Sequence, residues 1–155
     1  MSVARAQATI TGVSLSDAEQ LWYDLDSWPL FIDGLRSIVG VDGVAPLSGS
    51  SVIWQSTPAG RGEVSEKVID YEPGVGQRLE VEDRAVTGRQ RVRFQAGADR
   101  VAVQLELDYR LKGSNPFRAV TDWLFIRRAQ AESLQRTLTA FRLELEAQRD
   151  RSQPS

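Results

Sequence analysis

The sequence predicts an α+β fold in which a curved antiparallel sheet of about seven strands wraps on one long C-terminal helix, with two short helices after the first strand. Three observations predict it. From Asn115 to about Arg149 no glycine or proline follows Pro116, and Phe117, Val120, Leu124, Ala131, Leu134, Leu138, Phe141 and Leu145 recur mostly at threes and fours, the spacing of one helix face. From Arg36 to Lys112 the apolar period falls to two. A sheet with one apolar face and a long helix with one apolar stripe bury each other, which is the third observation and the reason for the architecture.

Taken in order, Val3, Arg5, Gln7 and Thr9 alternate with Ala4, Ala6, Ala8 and Ile10 as a first strand with a small-residue face turned inward, closed at Gly12 to Ser14. Ser16 reads as an N-cap, with Glu19 completing a capping box, and Leu21, Trp22 and Leu25 give the apolar side of a short helix. Trp28-Pro29 is expected to stop it, and Leu30, Phe31, Ile32 and Leu35 to make a second helical turn ending near Gly34. Turn signals at Asp42-Gly43, Pro46 to Gly49, Pro58 to Gly62, Pro73 to Gly76, Gly88 and Gly97 to Asp99 leave room for six strands. In the last, Val101, Val103, Leu105, Leu107, Tyr109 and Leu111 face one way and Gln104, Glu106, Asp108 and Arg110 the other. The strand before it sets Val92 and Phe94 opposite Arg89, Arg91 and Arg93, a row that Glu80 and Glu82 next door would meet as surface ion pairs. The final helix opens on Asn115 as N-cap with Pro116 first inside, and at about 1.5 Å per residue it is a rod of roughly 50 Å. This is one domain, residues 1–150, with residues 151–155 as a frayed polar tail.

The composition excludes several functions. A net charge of −2, from 19 basic and 21 acidic residues, offers no field for nucleic acid. The start of the chain lacks a secretory leader pattern and no apolar run approaches the roughly 20 residues that span a bilayer, so a cytoplasmic protein without an integral membrane segment is expected. Histidine and cysteine are absent, which removes disulfides, thiol nucleophiles, Ser-His-Asp triads and the usual zinc ligands. Any catalysis would rest on carboxylates, Tyr, Lys, Arg, Ser/Thr or water, and no cofactor or metal is implied.

Three stretches carry a family resemblance. The segment from Asp17 to Asp33, with an apolar-aromatic helix ending at Asp26 before Trp28-Pro29, resembles the first helix pair of the START-like (SRPBCC, Bet v 1-like) superfamily. Ser65 to Pro73 is similar to the strand and turn of its bacterial polyketide cyclase/dehydrase-like branch, and Leu138 to Glu146 to the end of its last helix. The resemblance implies the helix-grip fold and a cavity between sheet and helix for a small, largely apolar molecule. It does not choose among the lipid-transfer proteins, quinone chaperones, aromatase/cyclases, hormone receptors and co-chaperones that share the scaffold. Small inward residues, Ala4, Ala6, Ala8, Ser56 and Ala85, would leave room for such a cavity.

Candidate ligand-binding residues follow from their phase. Arg127 falls within the helix stripe, where it meets a ligand anion or an inward carboxylate, or else snorkels to water. Asp83 is in phase with Leu79 and Val81, and Glu66 with Val64 and Val68; each is an inward carboxylate unless a bulge turns it to solvent. Glu66 shares its strand with Ile69 and Tyr71 on the opposite phase. Gln90 is placed to hydrogen-bond a ligand carbonyl, and Trp54, Phe94, Tyr109, Phe117 and Trp123 to form cavity wall or plain core. Three functions are therefore expected in turn: a binding or carrier module for a polyketide, quinone or lipid; an aromatase/cyclase using Arg127, a buried carboxylate and Tyr109; or a protein-interaction module with a filled cavity, in which Trp28 to Leu35 meets a protein partner.

Overall fold

The computed structural model describes residues 2–57, 62–113 and 116–152, with side chains for all of these except residues 116–128. Seven strands form one antiparallel sheet: β1 (Ser2–Thr11), β2 (Leu35–Asp42), β3 (Ser51–Ser56), β4 (Glu63–Glu72), β5 (Gly76–Glu82), β6 (Val86–Ala96) and β7 (Arg100–Leu111). Their order is β1-β7-β6-β5-β4-β3-β2, a meander whose last strand also receives the first. Two short helices, α1 (Leu15–Trp22) and α2 (Trp28–Phe31), follow β1, and α3 (Pro116–Ser152) closes the chain.

The alternation read from β1, β6 and β7 is the one observed. Ala4, Ala6 and Ile10 are buried, as are Val92, Phe94, Val101, Val103, Leu105, Leu107 and Tyr109, while Arg89, Arg91 and Arg93 are exposed. On the outer face Arg5 pairs with Glu106 at 3.0 Å, Arg78 with Asp70, and Glu82 with Lys112 rather than with the β6 arginines. Glu80 is in register with Arg89.

The second half of α3 lies along β1 and against α1 and α2. Its stripe buries Leu134, Leu138, Phe141 and Leu145. Phe141 meets Trp22 at 5.2 Å and Phe31 at 5.3 Å between ring centroids, and Trp22 reaches Phe94 at 6.4 Å. Edge-on aromatic contacts of this kind add about 0.5–1.5 kcal/mol each beyond the area they bury. Polar ties fix the ends: Asp33 accepts from Arg136 Nε and Nη2 and from Ser133 Oγ, and its own N–H donates to Thr137 Oγ1 at 2.9 Å. Arg149 Nη1 donates to the Thr11 carbonyl at 2.7 Å, locking the last turns of α3 onto the end of β1.

Several local expectations are corrected. The capping box of α1 is Ser14 with Asp17, each side chain bonded to the other's N–H at 3.1 Å, because Leu15 is already helical; Glu19 instead accepts the Gly74 N–H at 2.9 Å. Trp28-Pro29 opens α2 rather than stopping α1, since a proline in the first turn lacks only an N–H that has no helical acceptor. Gly88 is not a turn but a position inside β6, and the β5–β6 turn is made by Asp83, Arg84 and Ala85, leaving Ala85 exposed. Helix α3 continues through Ser152, so Arg151 and Ser152 of the expected tail belong to it. The Asn115 cap lies outside the described residues.

Candidate ligand site

The register of the sheet lines up a row across its concave face: Ser2 opposite Tyr109, Tyr109 opposite Gly88, Gly88 opposite Val81, Val81 opposite Glu66, and Glu66 opposite Val52. Tyr109 and Glu66 are thus three inter-strand steps apart, roughly 14 Å along an uncurled sheet. Between them stand one residue with no side chain and one valine. A Cβ on Gly88 would fall 2.3 Å from the Asp108 carbonyl oxygen, so β6 and β7 approach there more closely than any other residue permits.

On the Glu66 side, Trp54 Nε1 donates to Glu66 Oε2 at 2.6 Å. Trp54 is 2% exposed, on the concave face of β3, diagonal to Glu66 across the β3–β4 ladder. The two phases of β4 noted in the sequence coexist because a bulge at Ile69 shifts the register between Val68 and Asp70. Before it, Val64, Glu66 and Val68 point inward; after it, Tyr71 takes over opposite the buried Gln77. Gln90 is half-buried one row away, between Leu79 and Leu107.

The other candidates fall elsewhere. Phe94 sits at the far end of β6, packed on Trp22 and Tyr23 at 6.4 and 6.1 Å. Asp83 is buried, but its Oδ1 accepts the N–H groups of Ala85 and Val86 at 2.8 Å, which makes it the organiser of the β5–β6 turn. The side chains of Arg127, Phe117 and Trp123 lie outside the described residues. Sequence reasoning missed Gly88 and Ser2 as site positions; the signal was that Gly88 shares the phase of Gln90 and Val92.

Beside α1, Tyr23 Oη is buried without a partner among the described residues, and its ring meets Tyr71 edge-on at 5.3 Å. Burial, then the neighbouring Tyr71, then the Glu19 carboxylate hold the Tyr23 phenol well above its ordinary 10.0. Tyr71 is raised in the same sense, by burial and by Glu19. Among the described residues no three acidic side chains converge as a metal would need, and no helix is long and apolar enough to cross a membrane.

A seven-stranded antiparallel sheet gripping a long last helix, with two short helices after the first strand, defines the START-like fold. The chain belongs to the polyketide cyclase/dehydrase and lipid transport family, whose description matches residues 1–146. Among solved structures it is similar to a START superfamily protein from Mycobacterium smegmatis (14% identity, TM-score 0.69, 94% of this chain and 97% of that one). It is also similar to a protein from Thermus thermophilus (16%, 0.69, 94% and 97%) and to norcoclaurine synthase from Thalictrum flavum (13%, 0.67, 90% of each). None of the curated proteins matches it.

Proposed function

We propose that this chain is a cytoplasmic carrier that holds a small apolar or aromatic molecule, a polyketide, quinone or lipid, between the Tyr109–Glu66 row and the first half of α3. The observation that carries this reading is the row itself: two hydrogen-bonding side chains share the concave face of the sheet with only Gly88 and Val81 between them. A surface built for packing alone would fill those two positions with large apolar groups. Tyr109 and the Glu66–Trp54 pair orient the ligand's polar atoms, Gln90 adds a further hydrogen bond, and Arg127, Phe117 and Trp123 are contacts proposed from the sequence.

Native mass spectrometry of protein purified from its own host tests this, with a bound apolar molecule expected. Tyr109→Phe should weaken rebinding of that molecule about tenfold, the worth of one hydrogen bond to a buried polar group. Protein that purifies empty and takes up no quinone, polyketide or lipid would overturn the carrier. A second reading rests on Glu66: an inward carboxylate could remove the proton next to a ketone and so promote ring closure, as a family described partly by cyclase and dehydrase activity suggests. Under that reading Glu66→Gln abolishes turnover while leaving binding in place; under the carrier reading there is no turnover to lose.

A further inference from the structure

We infer that the free edge of the sheet, β2, pairs antiparallel with β2 of a second copy of this chain. Among the described residues β2 is bonded on one side only, to β3, whereas the other edge strand, β1, has α3 packed along it. From Ser37 to Gly60 the sequence holds a single charged residue, Asp42, in a chain that is 26% charged. The β2–β3 hairpin also concentrates exposed apolar side chains: Val39 and Val41 on the edge strand are 55% and 52% exposed, Val44 and Leu47 in its loop 69% and 52%, and Ile53 37%. β2 carries neither lysine nor proline; its charges, Arg36 and Asp42, stand only near its two ends, and its two bulges, at Arg36 and Val39, twist the edge without covering it.

The occupant follows from what such an edge requires. A lipid surface would accept the valines but leave the outward N–H and C=O groups of β2 unbonded, whereas another strand satisfies both. Charge selects a second copy and its direction. Arg36 and Asp42 are exposed at opposite ends of the strand, without an ion-pair partner among the described residues. An antiparallel pair with its two-fold axis at Val39 sets Arg36 of each copy opposite Asp42 of the other, and Ser37 opposite Val41; a parallel pair would set arginine beside arginine. Of the two β-bulges in the strand, that at Val39 then lies on the axis, where it twists both strands alike, and that at Arg36 lies at the outer end of each.

Sedimentation equilibrium of the full chain over a wide concentration range should show monomer and dimer in exchange. Val41→Lys should leave monomer throughout. Arg36→Asp should raise the dimer dissociation constant on the order of tenfold, since two attractive pairs become repulsive, and adding Asp42→Arg to it should restore the wild-type value. All three positions are exposed, and unchanged thermal unfolding of the monomer would establish that each variant folds. A chain that stays monomeric at every concentration overturns the inference, as does a dimer indifferent to Val41→Lys or to the charge swap. A monomer that floats with phosphatidylcholine vesicles would assign the edge to lipid instead.

Discussion

The two ends of the concave face are built on opposite plans. Where α1, α2 and the second half of α3 converge, Trp22, Phe31, Phe94 and Phe141 fill the space ring against ring. Along the row from Ser2 to Glu66 the sheet supplies small residues and hydrogen-bonding groups instead. One end is packed by rings against rings, and the other sets the buried Tyr109 and the Glu66 carboxylate either side of Gly88 and Val81. The difference separates the expected effects: substitutions at the ring end should act on folding alone, whereas those on the row should act on folding where they crowd the backbone and, under the carrier reading, on what is bound.

The largest expected effect breaks the ring end. Phe141→Ala removes a fully buried ring with two aromatic partners and should cost about 3–5 kcal/mol, read as a shift of the urea midpoint without a change of slope. Next comes the point where the row depends on the backbone. Gly88→Val must push β7 away and fill the gap between Tyr109 and Val81; a loss of about 2–3 kcal/mol together with loss of ligand uptake is expected in parallel unfolding and binding measurements.

A smaller effect, of opposite sign, is expected at Tyr23. Its hydroxyl is buried and unbonded among the described residues, so Tyr23→Phe should stabilise the fold by about 1 kcal/mol at neutral pH. The sign of the alkaline dependence follows from the raised pKa. In the unfolded chain the phenol ionises near 10.0, whereas in the folded protein it stays protonated to higher pH. Its contribution is fully present below pH 10 and is lost as pH climbs above that value, a decline that unfolding midpoints should show in the wild type and show less steeply in Tyr23→Phe. Smallest of all, Glu66→Gln keeps an acceptor for Trp54 Nε1 and should leave the unfolding midpoint nearly unchanged, so that any defect it shows belongs to the ligand.

Much of this was legible in the sequence because it rests on period. The stripe through Leu134, Leu138, Phe141 and Leu145 and the alternation of β7 need only spacing to be read. What stayed hidden depends on local choices that composition leaves open. Ser14 and Ser16 both suit an N-cap, and only the geometry of the β1–α1 turn decides for Ser14. A glycine in a strand and a glycine in a turn look alike, so Gly88 carries a turn signal in the sequence although Asp83 makes the turn. The bulge at Ile69 reverses which phase of β4 faces inward, so neither face of that strand was apolar throughout. Membership of the row requires five registers at once, and no stretch of sequence carries those.

One consequence of the strand order concerns the order of synthesis. Among the described strands the sheet neighbour of β1 is β7, and Thr11 is held by Arg149, so β1 waits for β7 and for the last turns of α3. On the ribosome, the meander from β2 onward can pair as it emerges, while its greasy side stays uncovered until the final helix is released. The nascent chain is therefore most vulnerable to misassociation in the interval between completion of β7 and release of α3, and slow translation of that helix would lengthen it.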